Sequence, residues 1–230
     1  MTLDHRELNR PNSAEIADIP GVSIGPDGAI GVVNVIDDDA SLRNALSNLF
    51  TSVGLSVRTF GSAREFQSAA QPDEPSCLVV DIRLPGLSGL DLQSALSERG
   101  IDLPIIFMTA HGDVPMSVRA MKAGAVDFLT KPFRDQDMLD AVTKAIEGDR
   151  IHRIESKDLE ELEGRFETLS PREREVMKLA TTGKMNKQIA GDLNLSEVTV
   201  KIHRGAAMKK MAARNFADLV RIAERLGLGD

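Results

Sequence analysis

Several residue types are scarce in this sequence, and each scarcity excludes something. The 230 residues include a single cysteine and neither tryptophan nor tyrosine. One cysteine allows no internal disulfide, and Cys77, inside the apolar run CLVV, is predicted to be a buried thiol in a reducing cytoplasm. Without tyrosine, no step of the function uses a tyrosine hydroxyl.

Long apolar runs and targeting signals are missing as well. No run of about 18 apolar residues occurs, which argues against a membrane span and a membrane partner. The N-terminus lacks the basic and then apolar pattern of a secretory signal. Residues 1–30 combine prolines and glycines without a sustained apolar period, so we predict that this N-terminal extension is disordered.

Charge is distributed unevenly along the chain. The net charge is −7, but residues 31–150 carry 11 basic and 17 acidic side chains, whereas residues 168–230 carry 12 basic and 7 acidic ones. An acidic front and a basic tail indicate a cation-binding domain joined to a domain that meets a polyanion.

Residues 31–148 alternate short apolar runs with segments of helical spacing. The runs are VVNVI, SVRTF, CLVVD, IIFMTA and VDFL. Five strands alternating with helices predict an α/β domain with a doubly wound, five-stranded parallel sheet of order 2-1-3-4-5. Its last two helices are predicted over residues 114–123 and 134–147. Ligands of such sheets bind beyond the carboxyl ends of the strands.

Acidic residues follow two of these strands. Asp37 and Asp38 come after the first strand, and Asp81 ends the third. If the strand order is 2-1-3-4-5, these strands are neighbours and the three carboxylates converge. A hard cation with oxygen ligands, Mg²⁺, fits such a cluster. Asp39 is predicted instead to cap the helix that follows.

A hydroxyl and an ammonium group belong to the same edge. Thr109 ends the fourth strand, and Lys131 follows the fifth. Carboxylates, Mg²⁺, hydroxyl and ammonium together suit a phosphoryl group. A Mg²⁺-dependent phosphohydrolase with an aspartyl-phosphate is the rival interpretation. Such enzymes carry a second aspartate two residues after the nucleophile, where this chain has Arg83, so no acid serves the leaving group.

Residues 31–149 resemble a response-regulator receiver domain. The resemblance rests on Asp37-Asp38, on Asp81 in DIRLPGLSG, on Thr109 in MTAHGD and on Lys131 in FLTKPF. The stretch MTAHGDVPMSVRAMK is similar to the FixJ/StyR-like subgroup. The resemblance implies a signalling protein, with no enzymatic activity beyond its own phosphorylation.

The resemblance also implies roles for individual residues. Asp81 would accept a phosphoryl group from a phosphohistidine of a sensor histidine kinase. Asp38, Asp81 and the backbone carbonyl of Arg83 would bind Mg²⁺, with Asp37 acting through water.

The remaining receiver residues would form the switch. Lys131 would pair with the phosphoryl oxygens, and Thr109 would donate a hydrogen bond and move. Phe128 occupies the aromatic switch position and would swing inward, without a hydroxyl of its own.

The second half of the chain is predicted to be helical. Residues 149–167 are highly charged and read as an exposed helical linker. Residues 168–230 are predicted to form an all-α domain of four helices, over 170–182, 185–193, 196–211 and 215–226. Ser170 and Glu173 form a capping box with proline at the first helical position, and Ser196 caps the third helix.

The tail resembles the LuxR-type helix-turn-helix domain of the NarL/FixJ family. The resemblance rests on LSPREREVMKLATTG and NKQIAGDLNLSEVTVKIHRGAAMKKM. It implies a two-component transcription regulator that binds promoter DNA, more often an activator than a repressor. RNA polymerase is a further candidate partner.

The helix that starts at Ser196 is the expected recognition helix. Val198, Ile202 and either Met208 or Met211 are available for its buried face. Lysine or arginine of a recognition helix reads guanine edges in the major groove. The residues assigned to base-proximal roles are Lys201, Ile202 and Arg204. The candidates for phosphate contact are Lys184, Lys187, Thr199, His203, Lys209 and Lys210.

Two residues depart from the family pattern. Gly205 lies inside the recognition helix, where glycine destabilises by roughly 0.5–1 kcal/mol relative to alanine. Met185 stands where a serine or threonine usually caps the second helix, and a missing cap costs about 1 kcal/mol. Both indicate a marginal tail domain or an altered operator preference.

Phosphorylation is expected to produce a homodimer that binds paired half-sites. The expected dimer surface joins the fourth helix, the strand VDFL and the fifth helix. Its complementary charges are Arg119, Lys122, Asp127, Asp135 and Asp137. Two alternatives remain open: the basic tail docks on the acidic receiver of one chain until phosphorylation releases it, or the tail binds a protein instead of DNA.

Overall fold

The computed structural model describes residues 31–110 and 114–228. The chain divides into two compact units at the boundary between His152 and Arg153. The predicted disorder of residues 1–30 concerns a segment outside the described residues. Within the described ranges, no helix is both long enough and apolar enough to cross a bilayer.

A five-stranded parallel sheet forms the centre of the first unit. Its order is β2-β1-β3-β4-β5, which confirms the predicted topology. The strands are β1 (Val32–Ile36), β2 (Ser56–Phe60), β3 (Ser76–Asp81), β4 (Ile105–Thr109) and β5 (Asp127–Thr130). Strands β1, β3 and β4 are buried along their whole length, as expected for parallel strands covered on both faces.

Helices cover both faces of this sheet. They are α1 (Ala40–Ser52), α2 (Ala63–Ser68), α3 (Gly89–Glu98), α4 (Val114–Lys122) and α5 (Asp135–Glu167). Val35 of β1 packs in one apolar cluster with Phe50 of α1 and Val142 of α5, whereas its neighbour Ile36 belongs to the cluster of α2, α3 and α4. This division follows from the alternation of side chains along a strand.

Two predictions about single residues of this unit are confirmed. Cys77 is fully buried in the first cluster, and its burial raises the pKa of the thiol. Asp39 is the N-cap of α1, and its Oδ1 accepts a hydrogen bond from the backbone N–H of Ser41 at 2.8 Å. That contact satisfies one of the donors that a helix start leaves unpaired.

Helix α5 is longer than the sequence indicated. A helix over 134–147 and a separate linker helix over 149–167 were expected, but Asp135–Glu167 is one helix of 33 residues, with Gly148 inside it. Asp149 attaches it to the sheet, because its buried Oδ2 accepts a hydrogen bond of 2.7 Å from the backbone N–H of Ser76 at the start of β3. Further along the helix, Ile151 and Ile154 are exposed.

The second unit contains four further helices in the predicted places. They are α6 (Pro171–Thr181), α7 (Asn186–Leu193), α8 (Glu197–Lys210) and α9 (Phe216–Arg225). The capping box of α6 is confirmed: Ser170 and Glu173 exchange hydrogen bonds of 2.8 and 3.3 Å. Ser196 caps α8, and Met185 provides no side-chain cap for α7, both as predicted.

The expected buried face of α8 is wrong for two of its residues. Val198 and Ile202 are 69% and 64% exposed, whereas Val200, Ala207 and Met211 are fully buried. Val200, Ala207 and Met211 are spaced by seven and four residues and therefore share one side of the helix. The other side, with Val198 and Ile202, faces away from the core of this unit.

Gly89 and Gly148 provide a test of how closely the first unit is packed. A Cβ on Gly89 would lie 2.7 Å from the backbone oxygen of Asp81 and 3.1 Å from Cα of Ile82. Since backbone atoms cannot move aside easily, Gly89→Ala should lower the free energy of unfolding by about 1–3 kcal/mol. Gly148 meets nothing within 4 Å inside α5, so Gly148→Ala should raise it by about 0.5–1 kcal/mol. Urea denaturation followed by circular dichroism measures both; equal effects of the two substitutions would contradict the packing around Gly89.

Candidate functional site

The carboxyl ends of β1, β3 and β5 bring three charged side chains together. Asp37 follows β1, Asp81 ends β3, and Lys131 follows β5. The Nζ atom of Lys131 lies 2.6 Å from Oδ2 of Asp37 and 2.5 Å from Oδ2 of Asp81. The structure therefore places these three predicted residues at one point of the sheet edge.

The other carboxylate oxygens of this pair are held by the backbone. Oδ1 of Asp37 accepts a hydrogen bond of 2.8 Å from the N–H of Asp39, and Oδ1 of Asp81 accepts one of 2.7 Å from the N–H of Arg83. Asp37 is fully buried, and Asp81 is 7% exposed. Both carboxylates are thus fixed in orientation, with one oxygen each turned toward Lys131.

Lys131 remains protonated in this position. Burial would lower the pKa of its ammonium group, but the hydrogen bonds to Asp37 and Asp81 outweigh that effect and raise the pKa above its ordinary value. Two buried carboxylates repel each other unless a cation lies between them, and here the ammonium group is that cation.

Arg43 supports the site and was not predicted from the sequence. Its Nη1 donates a hydrogen bond of 2.6 Å to the backbone carbonyl of Asp37. Arg43 lies in the first turn of α1, directly after the acidic run. A basic residue one turn into the helix that follows such a run is the signal that could have identified it.

The other predicted side chains of the receiver are Asp38, Thr109 and Phe128. Asp38 is exposed beside Asp37, and Thr109 is fully buried at the end of β4, where its carbonyl accepts a hydrogen bond from the N–H of Lys131 at 2.7 Å. Phe128 is half-buried and packs against the cluster on the α4 face. Their roles in switching stay predictions.

The side-chain oxygen atoms at this edge supply only part of the ligand set that a hard cation needs. Across residues 31–110 and 114–228, no group of three or more histidine, cysteine, aspartate or glutamate side chains is arranged as a metal site. Asp37 and Asp81 nevertheless share one cation already, the ammonium group of Lys131. Oxygen ligands of this kind suit Mg²⁺, provided that backbone carbonyls or water complete the set.

The outward side of α8 is the candidate nucleic-acid surface. Val198, Lys201, Ile202 and Lys209 are exposed along it. A Cβ on Gly205 would meet nothing within 4 Å, so the middle of this side is open. The surface therefore combines two large apolar side chains with two ammonium groups.

Two of the cations predicted to contact phosphates already have acidic partners. Lys184 lies 2.7 Å from Asp192, and Lys210 lies 2.7 Å from Glu173. The hydrogen bond from Lys210 also lowers the pKa of Glu173. Lys187, Lys201 and Lys209 form no ion pair with any described residue.

Arg204 is turned toward the core side of α8, away from Ile202. Its guanidinium carbon is 3.9 Å from the ring centroid of Phe216, and its Nη1 donates a hydrogen bond of 3.2 Å to Oδ1 of Asn186. Both partners belong to the same unit, at the first residues of α9 and α7.

Comparison with known proteins finds two families along the chain. The response regulator receiver domain matches residues 33–143, and the luxR family of bacterial regulatory proteins matches residues 167–223. Nodulation protein W of Bradyrhizobium diazoefficiens is 60% identical over 197 residues, which cover 86% of this chain and 87% of that protein. Response regulator protein TodT of Pseudomonas putida is 46% identical, covering 85% and 86%.

Solved structures of response regulators are also similar to this chain. The structure of response regulator StyR is 46% identical, covers 84% of this chain and 98% of its own, and has a TM-score of 0.75. Full-length FixJ from B. japonicum is 39% identical, covers 87% and 98%, and has a TM-score of 0.53.

Replacing Lys131 tests the link between charge and stability at the sheet edge. Lys131→Met leaves two buried carboxylates without their cation, so we expect the free energy of unfolding in EDTA to fall by about 1–3 kcal/mol. A group with a raised pKa stabilises fully below its ordinary pKa, 10.5, and loses that contribution as pH rises through the raised value. The difference from wild type should therefore be constant from neutral pH to pH 10.5 and shrink above it.

Urea denaturation at several pH values measures this difference. Lys144→Met, at an exposed position of α5, is the matched control and should change stability little at any pH. A pH-independent difference for Lys131→Met would contradict the role assigned to the ammonium group.

Proposed function

This chain belongs to the two-component response regulators that combine a receiver domain with a LuxR-type DNA-binding domain, and we propose that phosphorylation of Asp81 controls its binding to promoter DNA. It is a transcription regulator by family. The observation that carries the proposal is the convergence of Asp37, Asp81 and Lys131 at the carboxyl edge of the sheet.

The proposed chemistry is a phosphoryl transfer from a sensor histidine kinase. A carboxylate oxygen of Asp81 attacks the phosphorus atom of a phosphohistidine. The new O–P bond makes an acyl phosphate, while the P–N bond breaks and its electron pair returns to the imidazole nitrogen, which takes up a proton. The kinase supplies the phosphoryl group, and the chain needs no further catalytic activity.

Positive charge at the sheet edge supports this transfer. Asp37, Asp38, Asp81 and the backbone carbonyl of Arg83 would hold a Mg²⁺ ion, which supplies charge for the phosphoryl oxygens. Lys131 already contacts Asp81 and can exchange a carboxylate oxygen for a phosphoryl oxygen. An ammonium group in that place stabilises the charge that develops on the transferred group.

The switch is proposed to run from Thr109 to the surface of α4, β5 and α5. The hydroxyl of Thr109 donates to the new phosphoryl group, and Phe128 fills the space that Thr109 leaves. On α4, Val118 and Met121 are exposed apolar residues, and Arg119 and Lys122 stand beside them. Large apolar side chains flanked by charge suit a two-fold contact with a second copy of the chain.

Some of the acidic residues expected on that surface have partners within the chain. Asp137 forms an ion pair of 2.6 Å with Arg134, and Oδ1 of Asp127 accepts a hydrogen bond from the N–H of Phe128. Asp135, exposed in the first turn of α5, is the better candidate to meet Arg119 or Lys122 of a second copy.

DNA is the proposed partner of the second unit. Lys201 would read guanine edges, while Ile202 and Val198 would contact thymine methyl groups, which are the apolar feature of the major groove. The candidates for phosphate contact are Lys187, Thr199, His203 and Lys209. Lys184 and Lys210 keep their acidic partners and would contribute less. A regulator that meets promoter DNA, and RNA polymerase if it activates, acts in the cytoplasm.

Phosphorylation of Asp81 can be tested by mass spectrometry and light scattering. Wild-type chain treated with Mg²⁺ and acetyl phosphate should gain one phosphoryl group and shift from monomer to dimer, and Asp81→Asn should do neither. Omission of Mg²⁺ should suppress both changes, because the carboxylates then lack the ion that faces the phosphoryl group.

Asp39→Asn is the matched control for that experiment. It removes one charge from the same acidic run but retains a side chain that caps α1, so labelling should persist. Labelling of Asp81→Asn would refute the site, and phosphorylation without dimerisation would favour release of a docked tail within one chain.

Binding to DNA can be tested by its dependence on salt. The affinity of the phosphorylated chain for duplex DNA should fall as salt rises, because each phosphate contact releases counterions. Lys209→Ala should reduce the slope of log K against log salt by about 1. Lys184→Ala should reduce it less, because Lys184 is already paired with Asp192. An affinity for duplex DNA that does not depend on salt would contradict binding through phosphate contacts and would point to a protein partner for the tail.

A further inference from the structure

Arg204 connects three helices of the second unit. Its guanidinium group stacks on the ring of Phe216 at 3.9 Å and donates to Oδ1 of Asn186 at 3.2 Å. Phe216 is the first residue of α9, and Asn186 is the first residue of α7. One side chain in the middle of α8 therefore contacts the N-terminal ends of both neighbouring helices.

The position of Arg204 on α8 explains this direction. It follows the buried Val200 by four residues and precedes the buried Ala207 by three. Residues with these spacings lie on one side of a helix. Arg204 is accordingly half-buried, whereas Lys201, Ile202 and Gly205 beside it are exposed.

Arginine suits such a contact better than other cations do. Its guanidinium group is planar, so one face can lie on an aromatic ring while the N–H groups at the edge donate in the plane. Phe216 and Asn186 use these two features at once. To reach a base edge, the guanidinium group would have to leave the ring, the amide oxygen or both.

We propose that Arg204 is a positioning residue, which fixes the orientation of α8 against α7 and α9 and does not read bases. The proposal rests on the function proposed above, in which α8 enters the major groove. It replaces the expectation that Arg204 contacts guanine, and it leaves the reading of sequence to the outward side of α8, where Val198, Lys201 and Ile202 are exposed.

The coupling between Arg204 and Phe216 is the first test. Operators are selected from genomic fragments that the full-length phosphorylated chain retains. Arg204→Ala and Phe216→Leu should each weaken operator binding about tenfold, and the double variant should be no weaker than either single one, because both remove the same contact. Phe216→Tyr keeps the ring and should retain wild-type affinity.

Lys201→Ala is the matched control, at an exposed position of the same helix. Its effect should multiply with that of Phe216→Leu, since the two act independently. If the losses of operator affinity caused by Arg204→Ala and Phe216→Leu multiply in the double variant, the proposal is overturned. It is also overturned if Arg204→Ala abolishes the preference for operator over random DNA while Phe216→Leu leaves that preference unchanged. Thermal unfolding of every variant shows whether the second unit remains folded.

An NMR signal of Arg204, observed in the wild-type chain, is the second test. In the ¹⁵N-labelled full-length chain, the Nε–H proton of Arg204 should resonate upfield of those of the other arginines, because the guanidinium carbon lies 3.9 Å from the Phe216 ring centroid and the ring current acts on its neighbours. Arg204→Lys identifies the signal, and Phe216→Leu should abolish its upfield shift.

Addition of operator DNA then separates the possible outcomes. An upfield shift that persists in the complex supports a positioning role. A shift that disappears on operator DNA but persists on random DNA shows that the guanidinium group leaves the ring to read a base, and it overturns the proposal. If the upfield signal is present but the chain binds no DNA, the proposed function fails, and the contact of Arg204 survives only as a feature of the fold.

Discussion

The ammonium group of Lys131 is the contact on which the first unit depends. It lies between two buried carboxylates from different strands, Asp37 and Asp81, and neutralises a repulsion that the fold itself creates. The same group holds one carboxylate oxygen of Asp81, the proposed phosphoryl acceptor, in a fixed orientation. In the proposed function, a phosphoryl group on Asp81 would change the balance of charge at this one point, and the residues that stabilise the resting fold would also respond to the modification.

The second unit uses its cations in a comparable way. Lys184, Lys210 and Arg204 contact Asp192, Glu173, Phe216 and Asn186 inside the unit. The net charge of the tail therefore overstates the number of cationic side chains that are available to bind a polyanion. Among the lysines expected to contact DNA, Lys187, Lys201 and Lys209 have no described acidic partner, and they define a narrower surface than composition indicates.

The sequence predicted the topology and the carboxylate edge because parallel strands have a simple rule. Their carboxyl ends meet at one edge, so residues that directly follow strands are brought together wherever the chain runs between them. No comparable rule predicts which side of helix α8 is buried. Apolar residues stand on both of its sides, so periodicity alone did not distinguish the buried Val200 from the exposed Val198 and Ile202. The contact of Arg204 with Phe216 and the continuous helix α5 depend on tertiary packing, which a pattern along the chain does not contain.

Gly205 gives the outward side of α8 a particular freedom to change. A Cβ introduced there would meet nothing within 4 Å, and residues other than proline would also strengthen the helix. Most substitutions on a recognition helix trade a new contact against stability, but at this position both would improve together. In a lineage of duplicated regulators, Gly205 is therefore a site at which the preference for one promoter over another can diverge without any compensating change elsewhere in the fold.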